Sequence, residues 1–349
     1  MRYGYWMPMF GGWLRNVPDE GMAASWGYVR TLAIRAERIG FDLTLIAELN
    51  LNDIKGKDAP SLDAWSTAAA IAAVTERQEL MVAVRPNFHQ PGLFAKAAAN
   101  IDHISNGRLA LNVVSSWWAE EAKQFGLQFD QHDDRYARTA EWLEVVGGLW
   151  TQPVFDYEGK FYRMESARLE PKPVRRPPIY AGGESDAAKT MIARQCDAYV
   201  MHGDPVNEIG PKIADMAERR KVAGGAPMQF GMAAYAIVRD SEAEAQRELD
   251  RILEVKDLPP GYENFDQWLS GTQLEKELKI REYSVSNRGL RPNLVGTPEQ
   301  LRQRIADYEG AGLDLLLMQF SPQMEEMERF GAQVIGSEAV AGPALPLGA

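Results

Sequence analysis

The sequence predicts an α/β fold, namely a (β/α)8 TIM barrel with two insertions. Short apolar runs alternate with amphipathic helical patterns along the chain, and eight such pairs are found. Alternating strands and helices imply parallel strands joined by crossover helices, and eight units suffice to close a barrel. The rival fold is an open doubly wound sheet. No G-x-G-x-x-G motif follows the first strand, so a dinucleotide-binding sheet is disfavoured.

The predicted elements follow one another in the order that a barrel requires. The strands are short apolar runs, and they cover residues 3–7, 43–46, 80–85, 109–114, 179–181, 198–201, 230–238 and 313–319. The helices repeat apolar residues three and four positions apart, and they cover residues 25–39, 62–74, 91–105, 134–150, 186–195, 206–222, 242–254 and 298–311.

Two connections are longer than ordinary loops, and we interpret them as insertions into a single domain that spans residues 1–340. Residues 151–178 contain FDYEGKFY, which predicts a hairpin with Gly159 in its turn. Residues 255–296 contain KDLPPG near their start and then polar, helix-forming sequence. Such a long connection indicates a lid or an oligomer contact, with surface decoration as the alternative. Residues 341–349 form a tail that we expect to be frayed.

Composition and charge narrow the classes of partner. The 349 residues carry a net charge of −11, which argues against nucleic acid or an anionic membrane as partner. Cys196 is the only cysteine, so an internal disulfide and a cysteine metal cluster are excluded. The first residues lack the apolar core of a signal peptide, and no apolar run reaches the roughly 18 residues that span a bilayer. We therefore expect a cytoplasmic enzyme or binding protein for a small molecule.

Polar and aromatic residues cluster where the predicted strands end. Ligands of a (β/α)8 barrel bind at this end, because the loops that follow the strands converge there. The residues in question are Trp6 and Phe10 after the first strand, Glu48 after the second, Arg85 at the third, Asn112, Ser115 and Trp117 at the fourth, His202 after the sixth, and Gln319 and Ser321 at the eighth. Together they predict a binding site.

The stretch AGGESDAAKT, residues 181–190, resembles an anion site. The fifth strand ends, Gly182 and Gly183 turn, and Ser185 stands where a helix would begin. Free backbone N–H groups and the helix dipole attract a phosphate at such a place, although plain N-capping by Ser185 has the same appearance. In the phosphate interpretation, Glu184 points away from the anion.

The stretch HDDRYART, residues 132–139, predicts another helix start with Asp133 or Asp134 as its cap. Arg135 and Tyr136 then lie within reach of a phosphate, with an ordinary surface helix as the alternative. Neither H-E-x-x-H nor G-x-S-x-G occurs, which disfavours zinc chemistry and serine hydrolysis. Among the four histidines, His202 is the best candidate for chemistry because it ends a strand.

Asn112 is unusual because it lies within the apolar run LALNVV, which predicts a buried strand. A buried amide costs free energy unless it is hydrogen-bonded, so a bound ligand is one account of its partner. A neighbouring backbone group is the other. The tryptophans 117 and 118, which follow directly, suit an apolar wall that keeps water from a reactive centre, or ordinary core packing.

Over nearly its whole length the chain resembles the bacterial luciferase-like flavin monooxygenases. Within that family it is most similar to the enzymes for dimethylsulfone, alkanesulfonates and pyrimidines. The matching pieces are YGYWMP, AERIGFD, DAWSTAAAIAAVTER, AKAAANIDHISNGRLALNVVSSW, HDDRYART, FDYEGKFYRME, PPIYAGGESDAA and NLVGTPEQLRQRI.

The resemblance implies a (β/α)8 barrel that uses O2 and reduced FMN, supplied by a separate NAD(P)H:flavin reductase. Oxygen then adds to the flavin, and the peroxyflavin oxidises the substrate. The family's flavin-binding positions correspond here to Glu48, Ala83, Asn112, Ser115 and Glu121, and its ribityl-phosphate positions to Arg135, Tyr136 and Ser185. The resemblance also implies a homodimer or a homotetramer.

The departures from the family indicate the substrate. Alkanesulfonate enzymes carry cationic or proton-donating pairs where this chain has Ala233 with Tyr235 and Ser321 with Gln323. A small neutral substrate is therefore expected, with a sulfone and oxidative C–S cleavage as the leading hypothesis. Trp6, Phe10, Arg85, Trp117, Gln319 and Ser321 are predicted to contact it.

The predicted catalytic residues are Asn112, His202, Tyr235 and Arg291. Asn112 would hold the reactive edge of the flavin, His202 and Tyr235 would exchange protons, and Arg291 remains as a cation. Alternatives are a sulfonate or heteroaromatic substrate, a deazaflavin-dependent hydride transfer on the same barrel, and a non-catalytic flavin-binding relative. No metal is expected.

Overall fold

A computed structural model of the chain describes residues 1–254, 260–263 and 284–336. The strands are β1 (Arg2–Trp6), β2 (Leu43–Ile46), β3 (Glu79–Val84), β4 (Leu109–Val113), β5 (Phe155–Glu158), β6 (Arg163–Ala167), β7 (Ile179–Ala181), β8 (Ala198–Met201), β9 (Gln229–Val238), β10 (Leu294–Gly296) and β11 (Leu315–Gln319). The helices are α1 (Trp26–Ile39), α2 (Ala64–Val74), α3 (Pro91–Ser105), α4 (Ala119–Gln124), α5 (His132–Thr151), α6 (Asp186–Gln195), α7 (Val206–Val222), α8 (Glu242–Leu253), α9 (Pro298–Gly310) and α10 (Gln323–Phe330).

Eight parallel strands close into a barrel. Hydrogen-bonded neighbours follow the order β9, β11, β1, β2, β3, β4, β7, β8, and β8 pairs back with β9. In the register, Ala83 of β3 lies beside Asn112 of β4, and Asn112 lies beside Tyr180 of β7. The predicted (β/α)8 fold is confirmed, and each predicted strand and helix is found with its ends within two residues of the prediction.

Alternation along the strands separates two apolar layers. One set of side chains fills the barrel interior, and it comprises Leu43, Leu45, Met81, Ala110, Tyr180, Ala198, Leu315 and Leu317. The other set faces outward and packs against the helices in the larger core. Because a parallel barrel is covered by helices on its outer face, its strands read as continuous apolar runs.

Polar side chains fix most of the helix beginnings. The side chains that accept a hydrogen bond from a backbone N–H in the first turn of the following helix are Ser25, Asp63, Gln90, Ser185, Ser241 and Thr297. The predicted cap of the fifth helix is wrong. That helix begins at His132 with Gln131 as N-cap, and Asp133 and Asp134 lie in its first turn. There they favour the helix through its dipole rather than by capping.

The first predicted insertion contains the expected hairpin. Strands β5 and β6 pair antiparallel, and Gly159 lies in the connection between them. The second insertion returns as β10, a short strand absent from the prediction, which pairs in parallel with the end of β9. Residues 255–259 and 264–283 lie outside the described residues, as do residues 337–349 of the predicted tail. The lid or oligomer role therefore stays a prediction.

Candidate active site

A cavity of about 270 Å³ opens at the carboxyl ends of the barrel strands. Its wall is contributed by β1, β2, β3, β4, β7, β8, β9 and the loops that follow them. The segment 285–287 adds a further side. Twelve of the predicted site residues line it, namely Trp6, Phe10, Glu48, Ala83, Arg85, Asn112, Ser115, Trp117, Tyr136, Gly182, Gly183 and His202. The predicted cluster at the strand ends thus forms one continuous concave surface.

Apolar and aromatic side chains make up much of this wall. Trp6 and Trp13 meet edge to face with ring centroids 6.2 Å apart, and Trp117 stacks on the buried Trp118 at 5.3 Å. Trp13 belongs to this wall as well, and its indole N–H donates to Gln323 Oε1 at 2.7 Å, which fixes the ring. Such a wall excludes water and binds the apolar part of a small ligand.

Asn112 presents its amide to the cavity. The side chain is 9% exposed, and no described residue offers the amide a hydrogen-bonding partner. An amide that faces a cavity without a protein partner is available to a ligand, whose hydrogen bonds would replace those to water. Of the two accounts that the sequence left open, the geometry favours a ligand over a neighbouring backbone group.

A corner of the cavity is built from Gly182, Gly183, Ser185 and Tyr136. A Cβ on Gly182 would lie 2.6 Å from the Val200 carbonyl oxygen, and a Cβ on Gly183 would lie 2.6 Å from a methyl group of helix α6. Both glycines are therefore required for the close approach of the backbone.

In the same corner Ser185 caps helix α6 by accepting from the Ala188 N–H at 3.2 Å, and Tyr136 hydrogen-bonds the Ser185 side chain. Burial raises the pKa of Tyr136, so its hydroxyl stays protonated and able to donate. Backbone N–H groups at a helix start, with a hydroxyl beside them, form a cradle for a phosphate.

A second group of polar side chains supports the wall near β3. The Arg85 N–H donates to Glu48 Oε2 at 2.8 Å, while the Arg85 guanidinium donates to both carboxylate oxygens of Glu121. His89 Nε2 lies 2.5 Å from Glu48 Oε1. Glu121 is fully buried behind Arg85 and also accepts from the Asn50 N–H, so it reaches the cavity only through Arg85.

A third polar group centres on Glu184, which lines the cavity. Arg288 donates to both of its carboxylate oxygens at 2.9 Å, His202 Nδ1 lies 3.3 Å from Oε1, and Lys212 Nζ lies 3.5 Å from Oε1. Glu184 faces these cations at the cavity wall. The phosphate interpretation expected Glu184 to point away from an anion in the Gly182–Gly183 corner. The structure shows the carboxylate paired with Arg288, which balances its negative charge.

Several predicted residues lie away from the cavity wall. Tyr235 is buried in an apolar cluster with Leu14 and Val285, and burial raises its pKa well above the ordinary value. Arg291 donates to Asp204 at 2.7 Å and lies near Glu208. Neither placement supports the catalytic role predicted for these two residues.

Four further predicted residues stand behind the wall or beside it. Gln319 donates to Ser286 Oγ at 2.9 Å, and Ser321 precedes the cis peptide bond to Pro322. Arg135 places its guanidinium carbon 4.6 Å from the Phe129 ring centroid, and Ser185 acts through Tyr136 and the helix start. Gln319 thus supports the segment 285–287 that lines the cavity.

Sequence reasoning missed Arg15, Asp53 and Arg288. Arg15 and Asp53 form a buried ion pair in the cavity wall, and Arg288 is 1% exposed. All three lie in irregular segments where no periodicity marks them. The only signal was that Arg288 precedes the motif NLVGTPEQ, which belongs to the recognised pattern.

Metal clusters and membrane-spanning helices are both absent from the described ranges 1–254, 260–263 and 284–336. No group of three or more His, Cys, Asp or Glu side chains is arranged there to hold a metal ion. Nor is any helix in these ranges of sufficient length and hydropathy to traverse a lipid bilayer.

Comparison with known proteins adds the family. The family model described as luciferase-like monooxygenase matches residues 1–315. Two FMNH2-dependent dimethylsulfone monooxygenases are similar to this chain: one from Pseudomonas fluorescens (strain Pf0-1) is 32% identical over 96% of this chain and 93% of its own. The other, from Pseudomonas putida, is 33% identical over 96% of this chain and 94% of its own. The crystal structure of DmoA from Hyphomicrobium sulfonivorans superposes with a TM-score of 0.80 at 20% identity, covering 96% of this chain and 87% of that one. The chain belongs to the luciferase-like monooxygenase family.

Proposed function

We propose that this protein is a monooxygenase that uses reduced FMN and O2 to oxidise a small sulfone, with cleavage of a C–S bond. The observation that carries the proposal is an apolar cavity at the barrel mouth with the unpartnered Asn112 amide on one wall and the glycine corner beside it. The relatives named for FMNH2 and dimethylsulfone support the choice of cofactor and substrate, since they align with 96% of the chain.

The residues present fit a flavin mononucleotide. The corner at Gly182 and Gly183, closed by Tyr136 and the start of helix α6, suits the phosphate. Asn112 and Ser115, at the end of β4, would contact the ring system, and Ala83 beside Asn112 leaves its face open. When bound, reduced FMN would supply the two electrons that activate O2.

The reaction balances with these components. Dimethylsulfone, O2 and FMNH2 give methanesulfinic acid, formaldehyde, FMN and water. One oxygen atom enters the carbon that is released as formaldehyde, the C–S bond breaks, and the other oxygen atom leaves as water. The second atom needs a proton at the moment of release, and His202 is the cavity residue that we assign to hold it.

The charges in the wall favour a substrate without charge. Arg15 is paired with Asp53, and Arg85 is paired with Glu121, so these two guanidinium groups are neutralised within the protein. The aromatic rings of Trp6, Phe10 and Trp117 provide apolar contact. A sulfone matches this surface, because it carries methyl groups and two uncharged acceptor oxygens.

We assign the supply of reduced FMN to a separate NAD(P)H:flavin reductase, so the enzyme would be one of two components. We further propose that it works in the cytoplasm as a homodimer or homotetramer. The absence of a G-x-G-x-x-G motif after β1 supports the separate reductase, since a nicotinamide site is then needed elsewhere.

The test is a single-turnover assay. Protein and photoreduced FMN are mixed anaerobically, oxygenated buffer with dimethylsulfone is added, and formaldehyde and methanesulfinate are quantified. We expect both products at one equivalent per flavin, together with flavin reoxidation slower than that of free FMNH2. Reoxidation at the free rate without products would overturn the proposal, and hydride transfer to or from a deazaflavin would then identify the alternative chemistry.

A further inference from the structure

Glu184 is the carboxylate in the cavity wall with the most cationic surroundings. Arg288 forms a two-pronged ion pair with it, Lys212 lies 3.5 Å away, and the His202 ring lies 3.3 Å away. The Glu184 side chain is 4% exposed and that of Arg288 is 1% exposed, so the pair is almost fully removed from water.

Among the described residues, the Arg288 guanidinium has two neighbouring carboxylates. Glu184 lies 2.9 Å from it and Asp204 lies 3.6 Å from it. Lys212 and Arg291 also contact Asp204. Neutralising Glu184 would therefore remove the nearer carboxylate of Arg288 and make this side of the cavity more positive.

We propose that Glu184 determines substrate specificity by occupying Arg288 with an internal carboxylate, so that anionic organosulfur compounds such as sulfonates and sulfinates are rejected and uncharged ones are accepted. A guanidinium with two parallel N–H donors is a strong site for an oxyanion, and here Glu184 fills that site. Arg288 is 1% exposed and does not line the cavity, so an anion that enters the cavity meets the Glu184 carboxylate first. Discrimination by repulsion of the wrong ligand is a common basis of specificity.

This inference deepens the proposed function and rests on it for the identity of the cavity as the substrate site. It also bears on product release. If a neutral sulfone is converted into an anionic sulfinate, the same carboxylate that admits the substrate repels the product. Glu121, by contrast, lies behind Arg85 and outside the cavity wall, so its pairing with Arg85 does not act on a ligand directly.

The test measures binding without flavin or turnover. Methanesulfonate and dimethylsulfone are titrated into the apoprotein, and affinity is read by calorimetry in a low-chloride buffer. We expect Glu184→Gln to bind methanesulfonate at least about tenfold more tightly than the wild type, which corresponds to about 1.4 kcal/mol. Dimethylsulfone is titrated in parallel, and the ratio of the two affinities is expected to shift toward methanesulfonate in the variant.

Two further variants complete the test. Glu184→Gln combined with Arg288→Gln should return methanesulfonate binding to the wild-type level, because the uncovered cation is removed. Glu326→Gln is the matched control: Glu326 is a buried partner of Arg239 at 2.7 Å and does not line the cavity, so its loss should leave the affinity for both ligands unchanged.

Equal methanesulfonate affinity in Glu184→Gln and the wild type would overturn the inference, as would tighter binding that survives the Arg288 change. Should the glutamine variant fail to fold, Glu184→Ala is used, and thermal melting with and without methanesulfonate replaces calorimetry. Stabilisation by methanesulfonate must then exceed that of the wild type. Because no step depends on turnover, a failure of sulfone oxidation in the wild type remains distinguishable from a failure here.

Discussion

At the scale of single residues, His202 is the group whose proposed role is chemical. It directly follows β8, lines the cavity and is oriented by Glu184, which is itself fixed by Arg288. A proton donor in the cavity is useful only if its ring is held toward the reacting atoms. The ion-paired carboxylate gives the ring a fixed partner.

We expect His202→Ala to slow product formation by about 10²-fold, because general acid–base groups contribute at least this much. The dissociation constant of FMN should change less than about twofold, since the phosphate corner is untouched. Rapid-quench measurement of formaldehyde and equilibrium titration with flavin check the two parts. Turnover equal to that of the wild type would contradict the assignment.

Asn112 allows a different prediction, because its amide lacks a partner among the described side chains and backbone groups. Asn112→Leu removes a buried polar group of similar size, so the apoprotein should be as stable as the wild type or more stable. Flavin binding should weaken by about two- to tenfold, the equivalent of one hydrogen bond of about 0.5–1.5 kcal/mol. Urea unfolding of the apoprotein and a flavin titration measure both. A clear loss of apoprotein stability would indicate a structural amide instead.

At this scale the sequence predicts residues on regular strands and misses those on irregular ones. Asn112 and His202 are found from the strand pattern, because the carboxyl end of each strand must face the barrel mouth. Tyr235 follows the same pattern on β9, yet β9 continues past the cavity and its end is covered by Val285. Arg288 lies at a non-helical position in a short turn, which no periodicity reveals.

At the scale of elements, the phosphate corner depends on the fit between a turn and a helix. Gly183→Ala would place a methyl group 2.6 Å from Ala188 Cβ, so the start of α6 must shift. We expect the affinity for FMN to fall by about tenfold, or about 1.4 kcal/mol, while that for riboflavin changes little. Comparing the two flavins by fluorescence quenching isolates the phosphate contribution. An equal loss for both would contradict a phosphate site in this corner.

Helix α1 is tied to the chain before β3 by one carboxylate. Glu37 accepts from the backbone N–H groups of Glu76, Arg77 and Gln78, with the shortest distance at 2.7 Å to Arg77. Burial opposes ionisation, but these hydrogen bonds outweigh it and lower the pKa of Glu37 below its ordinary value of 4.5. The ionised Glu37 carboxylate therefore stabilises the fold at pH values above 4.5. This stabilisation is lost as the pH falls through the pKa of Glu37 in the folded protein.

We accordingly expect Glu37→Gln to lower the melting temperature at neutral pH, with the difference from the wild type shrinking below pH 4.5. Melting curves of both proteins across this range, at fixed ionic strength, measure the effect. The exposed Glu328→Gln serves as a control, because its partner Arg35 lies on the same helix but at the surface. A difference that persists at low pH would mean that packing, and not charge, explains the loss.

Element boundaries are predictable here because the barrel repeats one local rule eight times. Every strand of the barrel is a mostly apolar run and most helices have a polar cap, so errors stay at the ends. Strand β10 is not predicted because it has three residues, and it forms by pairing with the end of β9, which the sequence does not reveal. Helix α10 is likewise short, with eight residues, and its amphipathic pattern is a weak sequence signal for a helix.

At the scale of the whole molecule, Cys196 reports on the integrity of the barrel. It is fully buried between helix α6 and strand β8, and burial raises the pKa of its thiol to about 12. A thiol of this kind stays protonated and shielded at ordinary pH, whereas the thiolate is the reactive form.

We expect native protein at pH 8 to resist alkylation by iodoacetamide and the unfolded chain to react at the rate of a free cysteine. The mass shift of a single adduct against urea concentration should follow the loss of helical circular dichroism. Rapid modification of the native protein would contradict the burial of Cys196. Since the chain has one cysteine, no second site confuses the signal.

The barrel could be predicted from the sequence, but the shape of the cavity could not. Closure of eight parallel strands follows from the count of units, whereas the cavity wall also needs contacts between segments far apart in the chain. Glu184 and Arg288 are 104 positions apart, and no local pattern joins them.

The pairing of β10 with β9 has a consequence for how such a protein can change. Main-chain hydrogen bonds to the end of β9 receive the chain as it returns from the second insertion, at a strand end that extends past the closed ring. Leu294 is fully buried there, and the Arg304 side chain donates to the Asn293 and Val295 carbonyl oxygens, so side chains hold the anchor as well. A substitution at Leu294 or Arg304 would therefore disturb the nearby segment 285–287 of the cavity wall while the eight strands that close the ring keep their own pairing.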